Sequence, residues 1–168
     1  MDEVAAEIIR RFDLQPHPEG GFFREVYRST LQLGHPSAPL DRPADRPAGT
    51  LIYYMLVGEQ FSAFHRITWS DEIWHLYAGG PIELHTIDTD GRHRVRMITT
   101  PLGDGEPTAL VPAGCWQAAR LARGAQWAFG GCTVAPGFDY ADFEMPSADR
   151  LLAAFPQHAE IIRALTRS

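Results

Sequence analysis

The sequence predicts an all-β sandwich or barrel with short helices at its two ends. Three observations carry that reading. Residues 50–134 break into eight short β-rich runs with turn signals about every 8–12 residues. No helical period interrupts those runs, so parallel βαβ units are excluded. Helical spacing of apolar residues is confined to residues 2–12 and 147–166.

In chain order, Val4, Ile8, Ile9 and Phe12 mark the apolar stripe of a first helix, with Glu and Arg between them. HPEGG then reads as a turn, and Phe22 to Tyr27 as a strand. Residues 31–48 hold four prolines without an apolar period, which predicts a surface loop. The runs TLIYYMLV, FSAFHRITW, EIWHLYA, PIELHTID, RHRVRMITT, TALVPAG, CWQAARLA and AQWAFGGCTV follow, separated by Gly-containing breaks and, after the second, by Ser70-Asp71. Asp90-Gly91 predicts a two-residue hairpin turn. Leu151, Leu152, Ile161, Ile162 and Leu165 give the stripe of the last helical segment.

Composition narrows the function. The chain has 168 residues, a formal net charge of −6 and a sequence pI near 5.6, which argues against nucleic acid as its partner. Every basic residue is Arg; the absence of Lys excludes Schiff-base chemistry and Walker-type phosphate loops. Cys115 and Cys132 lack metal-ligand spacing and read as reduced thiols. No run approaches the length of a membrane span, and the charged start MDEVAAEIIRRF is unlike a signal peptide. A cytoplasmic protein without membrane contact is expected.

Strand parity singles out His65. If it points inward, Phe61, Ala63, Ile67 and Trp69 share its side, and Glu72 opens the next strand with Trp74 and Leu76 on its face. An imidazole and a carboxylate on neighbouring strands suit either a metal or an acid/base pair. His75 has the opposite parity to Glu72 and reads as surface or interface. His85 and His93 lack partners at ligand spacing. Arg92, Arg94 and Arg96 share one face beside a hairpin tip and read as solvated. Trp69, Trp116 and Trp127 read as core or barrel-mouth aromatics.

GEQFSAFHRITWSDEIWHLYAGG resembles the first cupin motif, and ALVPAGCWQAARL resembles the second. With HPEGGFF near the start, the chain is similar to a family of small cupins described as predicted sugar epimerases. The resemblance implies the double-stranded β-helix, or jelly roll, as one cupin domain over 1–168, with a barrel core about 20–135 and a helical segment about 139–166. Set against the motifs, His65 and Glu72 match one histidine and the carboxylate. Ile67 and Gln117 stand where two further histidines occur in metal-dependent cupins. A reduced set of His65, Glu72 and Gln117 is thus the expected ligand set for any weakly bound Zn, Fe, Ni or Mn.

The resemblance also implies the function: an epimerase-like isomerase acting on a small sugar-like molecule, with His65 as base and Glu72 orienting it. Tyr54 is the preferred second proton carrier, ahead of Tyr27, with Tyr53 of opposite parity. Arg24, Trp74 and Gln117 are the expected ligand-binding residues, Trp74 by stacking on a sugar. The rival readings are a metal-dependent dioxygenase or decarboxylase and a non-catalytic ligand-binding cupin. A homodimer formed through the apolar edge GGFFREVY completes the expectations.

Overall fold

A computed structural model of the chain describes residues 2–34 and 45–167. The first helix is α1 (Glu3–Arg11). Asp2 caps it by accepting the Val4 and Ala5 backbone N–H groups, donors that a first helical turn cannot pair internally. Short strands β1 (Gln15–Pro16), β2 (Phe22–Arg28), β3 (Gln32–Gly34) and β4 (Asp45–Pro47) follow. The central series is β5 (Thr50–Val57), β6 (Phe61–Ile67), β7 (Asp71–Gly79), β8 (Ile82–Ile87), β9 (His93–Ile98), β10 (Thr108–Val111), β11 (Trp116–Leu121) and β12 (Trp127–Ala135). These correspond to the eight runs read from the sequence. The described chain closes with β13 (Phe143–Glu144), α2 (Ala148–Ala154) and α3 (Ala159–Ala164).

Two antiparallel sheets form the double-stranded β-helix. One runs β1-β2-β5-β12-β7-β10 and the other β13-β6-β11-β8-β9. Between them lies an apolar core that includes Leu56, Trp74, Leu76, Leu84, Ile98, Ala119 and Cys132. Burying each large side chain of this kind contributes about 1.5–3 kcal/mol. The opposite parity of the same strands builds two outer layers. Met55 and Phe129 receive α1 through Ala5, Ile8, Ile9 and Phe12. Phe64, Ile87 and Trp116 receive the C-terminal helices through Leu151, Ile162 and Leu165.

Four local expectations are corrected. Val4 is 53% exposed, and the fully buried Ala5 takes its place in the α1 stripe beside Ile8, Ile9 and Phe12. The segment expected as a loop over 31–48 contains a short ladder of β3 with β4, while residues 35–44 lie outside the described residues. Arg46 anchors that ladder, because its buried guanidinium donates to Asp142 at 2.7 Å, and a buried charge requires such a partner. The Asp90-Gly91 turn is longer than two residues: Asp88 N–H pairs with Arg92 O around it, and Gly91 alone takes a positive φ of 79°. The Asp88 carboxylate accepts the Asp90 and Arg92 N–H groups and favours this wider turn.

The fourth correction concerns β6 itself. Gln117 of β11 pairs with His65, but Ala119 pairs with Ser62, so β6 carries one extra residue there. The bulge resets the parity: Phe61 packs with Phe64 against the C-terminal helices and does not share the face of His65. Its cause is long-range. Ala63 N–H donates to Glu19 O and Phe64 N–H to Leu165 O, both at 2.8 Å, instead of to a neighbouring strand.

Candidate functional site

A cavity of about 370 Å³ opens between the sheets. Its deepest polar residues are His65, Glu19 and Glu72, each at most 6% exposed. His17 and Cys132 stand beside them, and Ile52, Ile67, Val134 and Phe143 supply apolar wall. Glu25, Arg28 and Tyr140 form the more exposed rim.

Glu19 reaches this floor because the HPEGG turn folds over β6. His17 N–H donates to Gly21 O, and Gly20 N–H donates to His17 O. Gly20 and Gly21 have φ of 118° and 68°. A Cβ at Gly20 would collide with the Phe61 carbonyl, so the close approach of turn to strand requires glycine there. The buried Tyr54 hydroxyl donates to Gly20 O at 2.6 Å and fastens the turn from below.

His65 lies between the two carboxylates. Its Nδ1 donates to Ala63 O at 2.8 Å and stands 3.3 Å from Glu19 Oε2. Its Nε2 stands 3.9 Å from Glu72 Oε2, close enough for strong attraction but too far for a good hydrogen bond. Ser62 Oγ donates to Glu19 Oε1. Gln117 Nε2 donates to Glu72 Oε2, and Trp74 Nε1 donates in turn to Gln117 Oε1. Burial presses the His65 imidazole toward its neutral form. The charge of Glu19, the nearby Glu72 carboxylate and the Ala63 carbonyl outweigh it and raise the pKa from 6.5 to about 9. At neutral pH His65 is therefore an imidazolium. His17 is shifted the other way, chiefly by burial and also by the His65 charge, against the opposing pull of Glu19 and Glu72. Its Nδ1 accepts the Glu19 backbone N–H. The Cys132 thiol is pushed far up by burial and by Glu72 and Glu19, so it stays protonated.

Of the residues expected from the sequence, His65 and Glu72 line the cavity together. Gln117 and Trp74 lie behind it, forming a chain of hydrogen bonds that ends on Glu72; Trp74 is 1% exposed and presents no face for a sugar to stack on. Tyr54 is likewise outside the lining, and its hydroxyl, raised well above 10 by burial and by the Glu19 charge, is committed to Gly20. Arg24 is exposed, because Phe23 and Glu25 on either side of it take the inward face of β2. The arginine at the cavity is Arg28. His75 bonds Thr133 Oγ1, and the exposed Tyr27 lies outside the lining. Sequence reasoning missed Glu19, His17 and Ser62. The available signal was a carboxylate set between Pro18 and two glycines, in the segment HPEGGFF that carried the resemblance.

The expected metal set does not fit these contacts. Gln117 Oε1 already accepts from Trp74, and its amide N–H donates to Glu72. Among the described residues, no group of three or more His, Cys, Asp or Glu has a metal-holding arrangement. Zn, Fe, Ni or Mn at His65, Glu72 and Gln117 would require this hydrogen-bond chain to be dismantled.

The model for the Cupin superfamily (DUF985) matches residues 6–146, and the chain belongs to that family. A solved structure of a hypothetical protein from Leishmania major is 33% identical, with a TM-score of 0.86 over 98% of this chain and 99% of that one. Protein SO0799 from Shewanella oneidensis is 34% identical, with a TM-score of 0.83 over 97% of each chain. The uncharacterised protein YML079W of Saccharomyces cerevisiae is 27% identical over 146 residues, 81% of this chain and 72% of its own length. The fold is thus one that commonly holds small ligands in its barrel. Among the described residues, no helix is long and apolar enough to cross a membrane.

Proposed function

We propose that this cupin is an acid–base isomerase of the epimerase type, acting on a small sugar-like carbonyl compound held in the cavity. The observation that carries the reading is the buried His65 ring at the cavity floor between Glu19 and Glu72, whose carboxylates favour its charged form. Removal of a proton next to a carbonyl needs an acid at the oxygen and a base at the carbon. His65 Nε2–H supplies the acid, which revises its expected role from base. Glu72 supplies the base, held in place through Gln117 and Trp74. Glu19 keeps His65 charged and oriented, so it is a positioning residue. Moving the proton from the substrate carbon to Glu72, and one from His65 to the substrate oxygen, gives a planar enediol; the enediol then turns its other face to the protonated Glu72, takes the proton back on that face while the oxygen returns its proton to His65, and leaves as the epimer.

The test is deuterium uptake from D2O at the carbon beside the carbonyl, followed by NMR over a panel of free aldoses and ketoses. Wild-type exchange is expected to fall at least 100-fold in His65→Ala and Glu72→Gln. Exchange that is unchanged in either variant removes that residue from the mechanism. A cytoplasmic homodimer remains part of the proposal. Beyond its pairing with β1 at Phe22 and Phe23, the outer edge of β2 has no strand beside it among the described residues. Light scattering giving a monomer mass at micromolar concentration would overturn the dimer.

A further inference from the structure

We infer that the cavity selects by charge: its ligand is small, carries neither phosphate nor carboxylate, and binds more tightly with an ammonium group than with a hydroxyl in its place. This names the substrate class for the isomerase proposed above and rests on that reading of the cavity. Four carboxylates line it, Glu19 and Glu72 on the floor and Glu25 and Asp139 toward the rim. Against them stand His65 and Arg28, the one arginine among the described lining residues, which leaves about two negative charges in excess.

Arg28 already has its own partners, which occupy three of its five N–H donors. Its Nε and Nη2 donate to the two carboxylate oxygens of Glu25 at 3.0 and 2.7 Å, and its Nη1 donates to Phe138 O at 3.1 Å. This is the two-pronged geometry by which a guanidinium would otherwise hold a phosphate or carboxylate ligand. Beside it, Phe138, Tyr140 and Phe143 pack edge to face with centroids 5.0–6.1 Å apart. Aromatic faces next to a carboxylate attract organic cations and repel anions. Size points the same way. At about 370 Å³ the cavity lies near the lower end of the roughly 300–1,000 Å³ typical of ligand pockets. A nucleoside diphosphate sugar would extend past the cavity, and its pyrophosphate would face a negative wall.

The test is a titration of the full chain with cyclohexylamine, cyclohexanol, cyclohexanecarboxylate and cyclohexyl phosphate, read from the NMR signals of His65 and the cavity aromatics. The amine is expected to bind roughly fivefold tighter than the alcohol and both anions more weakly than the alcohol, with differences that shrink as salt is added. Glu25→Gln releases Arg28, so cyclohexyl phosphate should gain roughly fivefold and the amine should lose its advantage. Asp139→Asn, which keeps an oxygen for the Ala141 N–H, should weaken the amine alone. An anion that binds tightest, a series without discrimination, or a series that leaves the cavity signals unmoved overturns the inference. The expected binding order without deuterium exchange on any carbonyl compound would instead remove the isomerase reading and leave the charge rule. Exchange on a sugar phosphate would do the opposite.

Discussion

His65 in the cavity and His85 on the outer face of the five-stranded sheet are 2% and 4% exposed, yet they are driven to opposite charge states. Burial presses each toward the neutral imidazole. His65 meets two carboxylates, and its pKa rises to about 9. His85 stacks in parallel on His93, with its Nδ1 3.1 Å from His93 Nε2. The carboxylate within its reach, Glu83 at 3.6 Å, is already paired with Arg120. Burial, then His93 and Arg120, outweigh the pull of Glu83 and lower the pKa of His85 to about 4. Equal shielding therefore predicts nothing about charge. The unshared carboxylates around each ring decide it.

The largest effect that would break this contrast is the removal of one flanking carboxylate. Glu72→Ala leaves the His65 charge with one carboxylate partner and takes from the Gln117 side-chain N–H its acceptor. It should cost about 3 kcal/mol in urea unfolding at pH 7. A loss below about 1 kcal/mol would mean that Glu72 does not hold the site together.

Stability against pH sharpens the same contrast, with opposite signs at the two rings. The folded pKa of His65 lies above its unfolded value, so its contribution is complete below pH 6.5 and disappears as pH rises through about 9. That arm amounts to about 3 kcal/mol. The folded pKa of His85 lies below its unfolded value, so its contribution is complete above pH 6.5 and is lost as pH falls toward about 4. Urea midpoints across this range should fall on both sides, with His85→Gln blunting the acid arm only. An acid arm that persists unchanged in that variant would assign it elsewhere.

Smaller effects test the supports. Trp74→Phe removes the donor to Gln117 and should cost about 1 kcal/mol while loosening the Glu72 side of the site. Tyr54→Phe should cost a similar amount, about 1 kcal/mol, by releasing the Gly20 carbonyl. Ligand binding should survive it, because Tyr54 is outside the cavity wall. Arg24→Ala, on the outer face, should change stability by less than about 0.5 kcal/mol and leave binding unchanged. Weakened binding in Arg24→Ala would contradict the inward placement of its neighbours Phe23 and Glu25.

The difference between the two histidines also shows what a sequence displays. Strand positions were legible because turns punctuate them locally, and the pairing of His65 with Glu72 followed from parity and the motif resemblance. The bulge at Ser62–His65 was not legible, because its cause is two carbonyls, Glu19 and Leu165, far away in the chain. Glu19 was hidden for the same reason. A carboxylate in a Gly-rich turn reads as solvated until the turn is seen packed over β6. Tyr54, Trp74 and Gln117 were rightly placed in the interior, but parity along one strand does not tell a cavity wall from the layer behind it. Nor does it show that Gln117 meets Glu72 and Trp74 with the two ends of its amide, contacts that a metal ligand would have to give up.

The most direct test of the account is the charge of His65 itself. Imidazole ¹⁵N NMR of the full chain between pH 6 and 10, assigned with a His65→Gln control, reads it without any substrate. Two protonated ring nitrogens are expected at pH 7.5, with a midpoint near 9 and a lower midpoint in both Glu19→Gln and Glu72→Gln. A neutral His65 ring at pH 7.5, titrating at or below 6.5, would contradict it.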